Sequence, residues 1–161
     1  MSALDLEAPG RVSRLRDIAR RVAAEPSSWG VTPRFDAAAR WYARLFAAAD
    51  HEAWLLTWLP GQGTDLHDHG GSAGTFVVVS GALTEETVHA GTDGAVLRST
   101  PYTAGDARPF GSQHVHRIVN TSAEPAISLH VYGPALTQMT RYRLADGALR
   151  VLEIDRAGVA W

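Results

Sequence analysis

The spacing of apolar positions changes once along this chain. From Ser13 to Ala24, Leu15, Ile18, Ala19 and Val22 recur at three and four residues, the stripe of an amphipathic helix, and Pro26 stops the pattern. Ser27 or Ser28 fits the cap of a short helical turn holding Trp29. Thr32-Pro33, a capping residue followed by proline, predicts a second helix through Phe35, Ala38 and Ala39. Trp41 to Phe46 suits either the end of that helix or a first strand, because so short an apolar run has no decisive period.

Beyond Phe46 the pattern becomes one of strands. Short runs at Ala53 to Leu59, Thr75 to Val79, Leu83 to His89, Ala95 to Ser99, His114 to Asn120, Ile127 to Tyr132, Thr140 to Leu144 and Leu149 to Ile154 are separated by glycine and proline. Asp93-Gly94 and Asp146-Gly147 sit between such runs as hairpin signals. Thr75 to Val79 is β-branched or aromatic throughout, as a strand buried on both faces should be. No repeat or linker interrupts the series. The pattern predicts a mainly β fold in a single domain over residues 1–161, a helical N-terminal cap at 1–40 followed by a small β-barrel at 41–155.

Composition narrows the chemistry. At 161 residues with 45% hydrophobic and 20% charged side chains, the chain suits one ordinary globular domain. A net charge of -2 provides no basic field for nucleic acid or anionic lipid. The absence of cysteine excludes disulfides, thiolate ligands and cysteine nucleophiles, so any metal must be held by nitrogen and oxygen. The N-terminus has neither a basic leader region nor an apolar one, and no apolar run approaches the ~20 residues of a membrane span. A cytoplasmic protein without membrane or nucleic-acid partners is expected.

The candidate site begins in the glycine-rich stretch from Gly61 to Gly81. His67 and His69 are two apart, so on a strand both imidazoles face one side while Asp68 faces the other. Surface histidines are the plain alternative, but two ligands on one strand would place two nitrogens side by side. A further ligand should come from the second histidine cluster, where two spacings compete. Counting from Pro109 and Gly111 selects His114, and counting back from Asn120 selects His116. Farther on, Ser128, His130 and Tyr132 alternate with aliphatic residues and share one face of a strand. That face either looks into water or looks into the barrel, where serine, histidine and tyrosine would form a hydrogen-bonded relay.

Gly61 with His67-x-His69 and a strand closing on Gly81 resembles the first motif of the cupin superfamily, whose small jelly-roll barrels hold a metal. A typical cupin would add a glutamate ligand four or five residues after the second histidine, where Ala73 and Gly74 stand here. Together with Tyr42-Ala43-Arg44, Trp58, His116-Arg117-Ile118-Val119-Asn120 and Ser128 to Pro134, the chain resembles the cysteine dioxygenase family from about Pro26 to Arg143. The resemblance implies Fe(II) held by His67, His69 and His116, with His114 behind them or at the rim. It implies Ser128, His130 and Tyr132 as the catalytic relay, and a strand at Trp41 to Phe46 that places Arg44 for the substrate carboxylate. Tyr42, Leu56 and Trp58 complete the substrate pocket. The implied reaction converts L-cysteine and dioxygen to cysteine sulfinate, by a protein expected to act as a monomer. The Gly133-Pro134 bond is a candidate cis peptide. Mammalian members carry a cysteine joined to the active-site tyrosine. The matching position here is Gly74, so Tyr132 would act uncrosslinked. A mercaptopropionate dioxygenase, which has glutamine in place of the arginine, and a zinc-loaded or non-catalytic cupin acting as a sensor are the alternatives.

Overall fold

A computed structural model describes residues 3–156, with side chains from residue 10 onward. The remaining terminal residues of the expected 1–161 domain lie outside the described residues. One α-helix, α1 (Ala3–Ala24), is followed by a 3-10 turn at Pro26–Ser28 and then by strands alone. The expected second helix through Phe35, Ala38 and Ala39 does not form, and its residues run as bends and irregular chain. Thr32-Pro33 therefore caps nothing. Phe35 is 44% exposed, so no apolar stripe there has a surface to cover.

The strands are β1 (Tyr42–Ala47), β2 (Glu52–Trp58), β3 (Leu66–His67), β4 (Ala73–Ser80), β5 (Ala82–Gly91), β6 (Gly94–Thr103), β7 (Ala107–Phe110), β8 (His116–Val119), β9 (Ala126–Gly133), β10 (Gln138–Ala145) and β11 (Ala148–Arg156). They form two antiparallel sheets rather than the expected closed barrel. The five-stranded sheet has the order β1-β2-β9-β4-β7, and the six-stranded sheet β11-β10-β3-β8-β5-β6. The segment Trp41 to Phe46 is resolved in favour of strand. The expected strands are all present, β7 is an addition, and β3 is a two-residue strand that stops short of the His69 expected on it.

Alternation on the five-stranded sheet decides what the site can be. Leu55, Val77, Leu129 and Val131 point outward, where Leu15, Ile18 and Ala19 of α1 cover them in one apolar cluster. Leu56, Trp58, Phe76, Val78 and Tyr132 point the other way and pack with Leu83 and Ile118 of the second sheet. Residues 73 to 78 are buried without interruption, as the sequence pattern required. With helix on one side and sheet on the other, Ala73 to Val78 of β4 and Ser128 to Gly133 of β9 are buried on both faces, and polar groups on their inner face must find partners within the protein. Among the described residues, no helix is long and apolar enough to cross a membrane.

Candidate metal centre

Antiparallel register brings the histidines together. On the six-stranded sheet His67 of β3 lies opposite His116 of β8. His69 follows just beyond the end of β3, in the turn held by the Ser72 amide donating to the His69 carbonyl at 3.0 Å. The expectation that both histidines occupy one strand holds for His67 alone. Gly70 and Gly71 take positive φ values of 58° and 91° there, the left-handed region that glycine enters without a Cβ penalty. The ring nitrogens of His67, His69 and His116 lie within 4.8 Å of one another, and all these residues are buried.

Hydrogen bonding leaves lone pairs free for a cation. His67 Nδ1 lies 2.8 Å from the carbonyl of Asp65 and must donate to it, which leaves Nε2 as an acceptor. His116 Nδ1 lies 2.8 Å from Glu85 Oε1, with the same consequence. Both nitrogens of His69 are buried without a hydrogen-bond partner. A buried imidazole with no partner is costly. A metal bound through these nitrogens would remove that cost, so the residues present fit one. Burial, reinforced by the neighbouring imidazoles, drives the pKa of His67 and His69 well below the usual histidine value. Burial also lowers His116, against the hydrogen bond to Glu85. Neutral imidazoles are the form that ligates.

The relay lies on the opposing sheet and has a direction. Trp58 Nε1 donates to Ser128 Oγ at 2.8 Å. Ser128 is fully buried, and His130 Nε2 at 2.8 Å is the acceptor available for its proton. His130 must then carry its own proton on Nδ1 and donate it to the Tyr132 oxygen at 3.2 Å. The Tyr132 proton is left free to be donated into the site. Burial pulls the His130 pKa down to about 3. Burial, aided by Glu52, pushes the Tyr132 phenol up. Both groups therefore hold the protonation states that this direction requires at neutral pH. The polar face of β9 looks inward.

Aromatic packing fixes the remaining orientation. Phe110 and Tyr132 both lie near parallel to the His69 ring, with centroids 4.6 Å and 5.5 Å away. Gly74 permits this: a Cβ there would meet Phe110 at 2.7 Å and Tyr132 at 2.9 Å. The Phe110 ring fills the space beside Tyr132 at that position.

A cavity of about 300 Å³ opens on the centre, lined by His67, His116, His130 and Tyr132 together with Tyr42, Leu56 and Trp58. The arginines on its wall are Arg40 and Arg141, not Arg44, and Arg141 is already paired with Asp65, Glu153 and Asp155. Arg44 is more than half exposed and faces the buried carboxylate of Glu52 at 3.9 Å. That carboxylate also accepts the Leu136 amide at 2.8 Å. Arg40 lies with its guanidinium carbon 4.9 Å from the Trp58 ring centroid, a cation–π contact. Burial lowers its pKa, with Tyr132 and Tyr42 acting in the opposite sense. The alternation that pairs Tyr42 with Arg44 also pairs it with Arg40, so the sequence contained the signal. Sequence reasoning missed Glu85 as well. It sits one β-strand away from the histidines and belongs to no motif with them.

A family described as cysteine dioxygenase type I matches residues 11–144. Among solved structures, TT1209 from Thermus thermophilus is 25% identical over 64% of this chain and 90% of its own, with a TM-score of 0.51. An uncharacterized conserved protein with a double-stranded beta-helix domain from Klebsiella pneumoniae is 22% identical, covering 74% of this chain and 90% of its own at a TM-score of 0.50. A cupin superfamily protein from Desulfitobacterium hafniense is 10% identical over 66% of this chain and 85% of its own, with a TM-score of 0.51. These similarities establish the cupin double-stranded β-helix fold.

Linkage between these buried imidazoles and folding gives a pH prediction. An unfolded histidine titrates near 6.5, whereas folded His130 stays neutral down to about 3. Between those values the unfolded chain binds more protons, so stability falls as pH falls. His130 alone should cost the metal-free protein about 2 kcal/mol between pH 7 and pH 5. Urea unfolding of the wild type and of His130→Gln at the two pH values isolates it, and the same loss in both proteins would contradict a buried neutral His130.

Proposed function

The chain belongs to the cysteine dioxygenase type I family, and from that premise we propose that it is an Fe(II)-dependent thiol dioxygenase converting L-cysteine and dioxygen to cysteine sulfinate. The observation that carries the reading is the convergence of three neutral imidazoles at a cavity that also presents the Tyr132 phenol and the Arg40 guanidinium. His67, His69 and His116 would hold the iron, which when bound supplies the one-electron chemistry that lets dioxygen react with a thiol sulfur.

The chain's own residues position the substrate. Among the described residues no carboxylate stands within ion-pair distance of Arg40. A partly buried cation without an anion is unfavourable, and a substrate carboxylate held bidentately would supply the missing charge. Arg40 therefore takes the role that the sequence resemblance gave to Arg44. Leu56, Ile118 and Leu136 form an apolar wall that excludes water from the thiol, and Tyr42 lies against Trp54 at 6.0 Å between ring centroids. Trp58 acts through both its faces and its edge: the ring lies against Arg40, and the indole N–H anchors Ser128. Tyr132, its oxygen already accepting from His130, donates its proton to substrate or dioxygen and orients them.

The decisive assay is dioxygen uptake by protein purified anaerobically and loaded with Fe(II). Uptake on adding L-cysteine, with cysteine sulfinate as product, is expected. Uptake with mercaptopropionate alone would reassign the substrate, and no uptake with either thiol would favour a sensor. For the carboxylate, Arg40→Gln should raise KM for cysteine about 10- to 100-fold, the worth of a charge-assisted pair, while Arg44→Gln should leave it within about twofold. The reverse pattern would return the role to Arg44. Tyr132→Phe should lower kcat about 100-fold with little change in KM, because the lost hydrogen bond matters most to charge developing during reaction. An unchanged kcat would remove Tyr132 from the chemistry.

A further inference from the structure

A coordination set of three neutral histidines leaves the whole charge of a divalent ion uncompensated, and the sequence has no glutamate at the cupin ligand position. The structure nevertheless holds a carboxylate one hydrogen bond behind the centre. Glu85 of β5 is 1% exposed, and its Oε1 lies 2.8 Å from both His116 Nδ1 and His114 Nε2. Its Oε2 accepts from Arg108 Nε at 2.8 Å and from the Tyr102 hydroxyl at 3.3 Å. The sheet register produces the contact. Thr87 stands opposite His116 and Glu85 opposite Ile118, so Glu85 is the diagonal neighbour of His116 on the same face.

The three candidate ligands are therefore not equivalent. His67 leans on a neutral carbonyl, His69 has no protein hydrogen-bond partner, and His116 alone has an anion behind it. We propose that Glu85 is a positioning residue for the metal centre: it fixes the tautomer of His116 with Nε2 toward the metal and, through that ring, supplies the negative charge that the coordination set lacks. This rests on reading His67, His69 and His116 as the metal ligands. A carboxylate accepting from a ligating imidazole raises its basicity, and losing such a partner typically weakens metal binding by about 10- to 100-fold.

His114 is then a support. Its ring lies 23° from parallel to Phe110 with centroids 5.0 Å apart, and it shares with His116 the same oxygen of Glu85. Glu85, His114 and His116 also stand close enough together to form a metal cluster of their own. A dication there would have to displace the ring N–H donors of His114 and His116 that Glu85 Oε1 already accepts, while Arg108 holds the other carboxylate oxygen.

The test uses Glu85→Gln in the full chain, because the amide oxygen can still accept from His116 while the charge is gone. Fe(II) and Co(II) affinities are measured by competition with a chelator, alongside the visible spectrum of the Co(II) form and the reduction potential of the iron form. The expected result is a folded variant that binds both metals about 10- to 100-fold more weakly, has a shifted Co(II) spectrum and a raised potential, with Glu85→Asp restoring part of each. A folded variant with unchanged affinity, spectrum and potential would overturn the proposal and leave Glu85 a part of the core. A measurement on the unaltered protein does not depend on how the variants fold. In the zinc-loaded form, nitrogen NMR should show a downfield proton on His116 Nδ1, and an Nδ1 without a proton would overturn the proposal. These readouts concern metal and proton only. A wild-type protein that fails to consume dioxygen with a thiol would overturn the proposed reaction without touching Glu85.

Discussion

The site depends on keeping imidazoles neutral where water cannot reach them. His67, His69, His116 and His130 are all buried, and the cost of charging any of them there exceeds what their neighbours return. Once neutral, each ring has one proton to place and one lone pair to use. The Asp65 carbonyl and the Glu85 carboxylate accept hydrogen bonds from His67 and His116, and the Tyr132 oxygen accepts one from His130. The lone pairs that remain belong to the metal centre, or to Ser128 in the case of His130. Tautomers, and with them the direction of proton donation, follow from burial.

Burial in turn comes from two layers lying on one sheet. Strands β4 and β9 carry aliphatic residues on the face under α1, and that cluster frees their other face to carry polar groups. Ser128, His130 and Tyr132 occupy that inner face because strand alternation places them opposite Leu129 and Val131 in direction. A one-residue slip of β9 would exchange the relay for the aliphatic set, so the apolar packing against α1 also fixes the register of the chemistry.

How far the sequence disclosed this depended on the reach of each signal. Alternation within one run is local, and it set Ser128, His130 and Tyr132 on one face and marked β4 as doubly buried, without saying which way the polar face looks. Capping signals are local too, but they report a tendency that tertiary contacts must complete. Thr32-Pro33 began no helix because the residues after it have no apolar surface to pack against. Among the candidate ligands, His67 and His69 stood out as a spaced pair, whereas spacing left His114 and His116 open and only the family resemblance chose His116. Glu85 was not legible, since only the sheet register brings it to His116, and Arg40 was no better marked than Arg44. For the arginine, Tyr42 has a same-face partner on either side, and choosing between Arg40 and Arg44 required knowing that the buried carboxylate of Glu52 lies nearer to Arg44.

Those two charges complete the electrostatic design of the pocket. Arg40 stands on the cavity wall with an aromatic ring beneath it, and Glu85 stands behind His116 on the opposing sheet. In a poorly solvated space, fixed charges act with little screening. Under the proposed function, a cation on one wall would draw in an anionic substrate, while an anion behind the metal ligand would support a more oxidised metal. A single carboxylate coordinated in the cupin manner would have filled a position at the metal and lowered the charge that attracts the substrate. Moving that carboxylate outward by one imidazole keeps the position open and retains part of the electronic support. With Ala73 and Gly74 where a typical cupin has its glutamate ligand, the proposed reaction would have room at the centre for both of its reactants.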